Sequence, residues 1–394
     1  MIKHNCLATL LVGGLLAISQ VAIAAESEVP EPFRNFDATS VYTIDYSDLN
    51  AFYNALVVDV GRSNRELAQS TAAKTGTRMR NSVNKATVNE GNRFLYELFE
   101  DNENNQNLLA AVQNNLEQIP SEVSLEYFNR DEQLAYWLNL YNVTMVNEIV
   151  KVYPKKNLKK FLLGKNSILS KKILTVAGVP LSLNDIQFTI LKQNYDNKPL
   201  LMYGLYQGII GGPNIRKKAY AGENVYRSLE ENAIQFINSN RGTSGRDGKA
   251  FRVSSLYQRN QGYFDNFEPD LEEHLLVYLE GDERGELKTA KKIKTDINDW
   301  TITDLFGTHT ELGGSMANNS AALQGSMRGG GSDPSGVLLA KSPRQNRYSE
   351  EMLQNLYQLK EKQDNVKEQN ATVTVEEMGQ VPADPVEEDE EINN

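Results

Sequence analysis

Cysteine and histidine are nearly absent from this chain. Its 394 residues include one cysteine and three histidines. Cys6 precedes the apolar run Leu7–Ile18 in "MIKHNCLATLLVGGLLAISQVAIAAE", whereas a lipid-anchoring cysteine would follow such a run. With Lys3 in a short basic start and the small-residue site Ala22-Ile23-Ala24, residues 1–24 read as a secretory signal peptide cleaved before Ala25. The mature chain then has no thiol, which excludes disulfides, Cys-ligated metals and cysteine nucleophiles. The apolar run is too short to span a bilayer comfortably, and no later segment approaches that length. The expectation is an exported, soluble protein, periplasmic or extracellular, with no membrane span.

Of the histidines, His274 and His309 outlast the leader, and neither has a second ligand at metal spacing. "DNENNQN" lacks the alternating ligands and central glycine of a calcium loop. No metal and no cofactor are expected. Glu268, Asp270, Glu272 and Glu273 read as a solvated helical surface. Positive charge is also in deficit, with 41 Lys+Arg against 52 Asp+Glu and a net charge of −11, which argues against a nucleic-acid partner. Lys155-Lys156 with Lys159-Lys160, and Lys291 to Lys294, have no aromatic platform or phosphate loop beside them in sequence and read as solvated surface. There is no G-x-x-x-x-G-K-[ST] and no G-x-S-x-G, so Ser254, Ser255 and Tyr257 have no base visible from sequence.

What the chain does have is a helix apolar nearly all round. In "YWLNLYNVTMVNEIV", at about 100° per residue, Leu134, Leu138, Tyr141, Met145 and Ile149 share one face. Asn142 lies inside that arc and Asn139 at its edge. A helix of this kind is buried, and a buried amide without partners costs about 1–3 kcal/mol. Either the amides tie the helix to neighbouring backbone, with the "YQGIIGGP" loop the favoured partner, or they line a pocket and orient a ligand.

Helical spacing also marks Asp45–Val60, about Asn92–Phe99, Asn107–Gln118 ending at Pro120-Ser121, about Glu223–Ile237 and Pro269–Leu279. "KKILTVAGVPLSL" reads as two strands about a turn at Ala177-Gly178, and Ser182 with Asp185 as a capping box. "LLMYGLY" reads as a buried strand, "GIIGGPNI" as a glycine-rich loop and "KAFRVSS" as a strand. Arg62–Gly91 is polar and reads as a mobile or weakly helical insertion. The absence of a βαβ rhythm predicts an α+β fold: a mostly helical single globular domain around a small mixed or antiparallel sheet, spanning 25–307. Residues 308–394 read as flexible linker, short helix and acidic disordered tail.

These segments resemble, in order, the family catalogued as domain of unknown function 547, over roughly Tyr42 to Phe306. "LAYWLNLYNVTMVNEIVKVYP" resembles its aromatic-Trp-x-Asn-x-Tyr-Asn helix, and "VAGVPLSLNDIQFTIL" its Gly-x-x-x-Ser-Leu-x-Asp-Ile segment. "YGLYQGIIGGPNIRKKAY" and "VSSLYQRNQGYF" resemble its loop and its Ser-x-x-aromatic segment, and "DYSDLNAFYNALV" its opening helix. Many members carry Asn-Cys and a later Cys in the loop, where this chain has Tyr206-Gln207 and Gly212, and a His in the capped helix, where it has Gln187-Phe188. If those Cys and His residues form a thiol–imidazole pair, this chain lacks both halves.

The expectation is therefore an exported non-catalytic binding or scaffold protein with a small-molecule or protein ligand. The alternatives are a cysteine-independent hydrolase near Gln207 and Asn142, and a structural component of an envelope assembly. The candidate pocket or structural polar site comprises Trp137, Asn139, Tyr141, Asn142, Gln207, Gly208, Gly211, Gly212 and Tyr257. Among these, the glycines allow close backbone approach and an anion nest or oxyanion hole.

Overall fold

Helix α3, Arg130–Val150, has 18 of its 21 residues buried and lies within the main core of the described residues. The computed structural model describes residues 28–65, 86–87, 90–245, 250–305 and the backbone of 374–376. The leader, most of the polar insertion, the linker with His309 and most of the tail lie outside the described residues. The fold is α+β, mostly helical with several small sheets.

The start of α3 is set by Asn129, whose side chain accepts the Glu132 N–H at 2.9 Å. Along one side lies α2, Glu103–Glu122, antiparallel to α3 and joined to it by a buried Asn147–Gln113 amide bond of 2.7 Å. On another side, Phe33 meets Trp137 edge-on at 4.9 Å. The buried Glu132 carboxylate accepts the Ile44 and Gly222 N–H groups, both at 3.1 Å, so α3 grips segments from both ends of the domain. Each fully buried Leu, Ile or Phe in this core contributes about 1.5–3 kcal/mol.

Leu174–Val176 and Val179–Leu181 form the expected hairpin, with Ala177 and Gly178 both at positive φ. Thr243–Ser244 pairs antiparallel with Phe251–Ser254, which runs parallel to Ile293–Ile297, making a three-stranded mixed sheet. Thr43–Asp45 pairs antiparallel with Thr374–Glu376, so these three tail residues are strand rather than coil. Flanks of the polar insertion are also docked. Arg65 donates to Thr243 O at 2.8 Å, and Thr87 Oγ1 to Asp299 Oδ2 at 2.6 Å.

Three local expectations give way to tertiary structure. Proline does not end α2, which continues two residues beyond Pro120 to Glu122. A proline at 120 cannot donate to the carbonyl of Leu116, and the Tyr136 hydroxyl of α3 bonds that carbonyl instead at 3.0 Å. The segment 92–99 is a short strand, Arg93–Phe94, followed by a 3-10 turn, Tyr96–Leu98, because Arg93–Phe94 pairs with Val57–Val58. "LLMYGLY" is not a strand: Lys198–Leu201 is helical and Met202–Gly204 a 3-10 turn. A short, wholly apolar run carries no periodicity to separate the two, and burial satisfies either.

Candidate functional site

The two α3 asparagines each grip a backbone segment. Asn139 donates to Tyr220 O at 2.8 Å and accepts from Tyr220 N–H at 2.9 Å. Asn142 donates to Gly204 O and accepts from Tyr206 N–H, both at 2.9 Å. Each amide thus acts as a strand partner for chain that is not in a sheet. Asn142 fixes the approach to the glycine loop and Asn139 its exit.

Within that loop Gly208 takes φ +69°, and a Cβ on Gly211 would stand 2.7–2.8 Å from Asp299 backbone atoms. The loop amides have protein partners. Ile210 N–H bonds Thr301 O at 2.8 Å, Gly211 N–H bonds Asp299 O at 2.9 Å, and Gly212 N–H bonds Ile209 O at 3.0 Å. The glycines therefore serve close packing against the segment 299–303, and these three N–H groups do not form an oxyanion hole.

Trp137 is fully buried between Phe33 and Tyr136 as a core anchor. Tyr257 is likewise internal: its hydroxyl meets that of Tyr203 at 3.2 Å, and Tyr203 meets His274 Nε2 at 2.8 Å. Asn142 and Tyr257 thus spend polar atoms on partners within the protein.

Burial lowers the His274 pKa from 6.5 to about 4, so the neutral ring is the folded form. A depressed folded pKa contributes stability above pH 6.5 that is lost as pH falls toward 4. Comparing urea midpoints at pH 7 and pH 4.5, wild type should lose about 2 kcal/mol more than His274→Gln. Equal losses would show that the ring titrates as it does in the unfolded chain.

Gln207 leads to a different set of groups. Arg259 closes the short helix Ser255–Arg259, whose first turn is capped by Ser254. Its guanidinium donates through Nη2 to Gln207 Oε1 and through Nη1 to Ser255 Oγ, both at 2.8 Å. It lies 4.8 Å from the Trp300 ring centroid, and Lys159 Nζ lies 6.0 Å from the same ring. Burial lowers the Arg259 pKa to about 10, which keeps the charge at neutral pH. No carboxylate among the described residues pairs with it.

The Tyr141 hydroxyl, in the field of that charge, is buried without a hydrogen-bond partner. Desolvation raises its pKa against the opposing pull of Arg259, so it remains a protonated donor. Gln207 is 6 % exposed, and with its carbonyl oxygen committed to Arg259 its amide N–H₂ has no acceptor among the described residues.

Beside Arg259, Asn260 accepts from Gln187 Nε2 at 2.6 Å. Gln187 stands in the wide π-helical turn Asp185–Leu191, entered through the Ser182–Asp185 capping pair, and such turns are frequent at functional sites. Phe188, the next residue, packs against Tyr263 at 5.9 Å. Two of the positions that differ from the resembled family, 187 and 207, thus converge on consecutive residues, Asn260 and Arg259.

A family model described as protein of unknown function, DUF547, matches residues 125–237. The chain carries a DUF547 domain. Comparison with curated proteins and with solved structures gives no match. The DUF547 segment holds α3, the hairpin, the π-helical turn, the glycine loop and the helix Val225–Ile237. Arg259, Asn260 and Trp300 lie beyond it. Sequence reasoning passed over all three, and it set aside Lys159 for want of an aromatic partner. That partner is 141 residues away, brought close by pairing of Asn157 with Thr301.

Among the described residues no group of three or more His, Cys, Asp or Glu side chains could hold a metal ion, and no helix is long and apolar enough to cross a membrane.

Proposed function

We propose that the mature protein is an exported binding protein built on a DUF547 domain, with Gln207 as part of its ligand site. The observation that carries this is the set of donors around Arg259: a half-buried guanidinium with no carboxylate beside it, and a Gln207 amide N–H₂ with no acceptor among the described residues. Donors that the protein leaves open beside an aromatic ring are arranged as in sites that receive a ligand. A hydrolase here would need a nucleophile beside a base. Ser255 Oγ instead accepts from Arg259, which cannot take its proton. Export rests on the leader sequence, with its apolar run Leu7–Ile18 and Ala22-Ile23-Ala24.

Two measurements test this. N-terminal sequencing of the folded protein should give Ala25, in a periplasmic or extracellular fraction. An intact Met1 in a folded cytoplasmic pool would overturn export. Incubation with small ester and amide substrates should give no turnover that depends on Gln207. Turnover abolished by Gln207→Ala would replace the binding reading with the hydrolase.

A further inference from the structure

We infer that the site formed by Arg259 and Gln207 beside Trp300 takes the carboxylate group of a small organic acid, an inference that rests on the binding reading above and names its ligand class. Electrostatics gives the first reason. Arg259 is charged and half-buried, and no carboxylate of the described chain neutralises it. Its Nη1 and Nη2 each commit one N–H within the protein, which leaves a second N–H on each and the Nε–H. A planar fork with free N–H groups matches the two oxygens of a carboxylate.

Gln207 supplies the second reason, because it offers a donor. Gln207 turns its oxygen to Arg259, so its N–H₂ is the end left over. A ligand group met by a cation and an amide N–H must be an acceptor, and one positive charge calls for one negative charge.

Competing anions fit less well. Phosphate is commonly held by successive backbone N–H groups, and in the adjacent glycine loop those of Ile210, Gly211 and Gly212 already bond carbonyls. Lys159 is exposed, with Nζ 6.0 Å from the Trp300 ring centroid, and is assigned steering rather than a second contact.

The chain has two tryptophans, and Trp300, beside Arg259, is the more exposed, so its emission reports on the site. The test titrates the mature full-length protein with N-acetylalanine, with its C-terminal amide and with inorganic phosphate. Expected is a saturable change with the acid, at least tenfold weaker binding of the amide and of phosphate, and loss of the signal in Trp300→Phe. Arg259→Gln should weaken the acid at least tenfold with an unchanged melting temperature. If Arg259→Gln does not fold, Gln207→Leu serves instead, with a loss of about threefold or more. Equal binding of acid and amide, phosphate binding as tightly as the acid, no saturable change with the acid, or unaltered affinity in a folded variant would each overturn the carboxylate assignment. None of these results involves turnover, so the assignment can fail while the binding reading stands. Gln207-dependent hydrolysis would remove the binding reading itself.

Discussion

Arg241→Met should cost the domain about 3–5 kcal/mol, the range for removing one partner from a buried, desolvated charge network. Arg241 is 2 % exposed and binds Gly212 O at 2.8 Å and Asn214 Oδ1 at 2.7 Å. The same Asn214 oxygen accepts the Asn92 N–H at 2.9 Å, so one guanidinium ties the glycine loop to the strand Arg93–Phe94. The opposing charge is Glu90, 5 % exposed, which accepts from Ser63 and from Asn240 N–H. Burial lowers the Arg241 pKa to about 10 while Glu90 pulls it up, so the residue stays charged, and Met would take a positive charge from the field of buried Glu90 and remove the donors to Gly212 O and Asn214 Oδ1. Arg252→Met is the matched control, since Arg252 meets Asp296 with both side chains more than a third exposed, and should cost at most about 1 kcal/mol. Urea midpoints at unchanged slope measure both. A loss at Arg241 no larger than the control would mean that water reaches the network.

Asn139→Leu and Asn142→Leu should each cost about 2–4 kcal/mol, because each leaves one buried N–H and one buried C=O of the main chain without a partner. For Asn139 the stranded groups both belong to Tyr220. For Asn142 they are Gly204 O and Tyr206 N–H. The helical wheel, which sets Asn139 at the edge of the apolar arc, implies a smaller penalty there. The structure removes that difference, since α3 has no wet face at either position and Asn139 is 0 % exposed against 6 % for Asn142. Denaturant midpoints decide it. A stable Asn142→Leu protein would mean that water, not backbone, lies opposite the amide.

What could be read from sequence was whatever a residue's near neighbours decide. The α3 periodicity, the Ser182–Asp185 pair, the Ala177-Gly178 turn and the strand Phe251–Ser254 each show within a window of a few residues, and each is present. Features set by distant chain were not readable. The rule that proline ends a helix failed at Pro120 because Tyr136 serves the orphaned carbonyl. The importance of Arg259 depends on Gln207, 52 positions earlier, and on Trp300, 41 positions later, and nothing local to "LYQRN" hints at either. Glu132 passes for a helix-surface acid by spacing, yet it is buried and bonds the backbone of residues 88 positions before it and 90 after it.

The burial of α3 also bears on what can be cut from this protein. The DUF547 segment, 125–237, includes the helix but not the walls against which much of it packs. Phe33, Ile44 and α2 come from before that segment, and the strip 299–303 that backs the glycine loop comes from after it. Excised at those boundaries, the helix would expose Trp137 and Tyr136 to water, and the Glu132 carboxylate would lose one of its two backbone donors. The stretch that carries the family likeness is thus a keystone and not a transferable module. A piece that keeps all of these walls reaches from the Phe33 region to the strip 299–303.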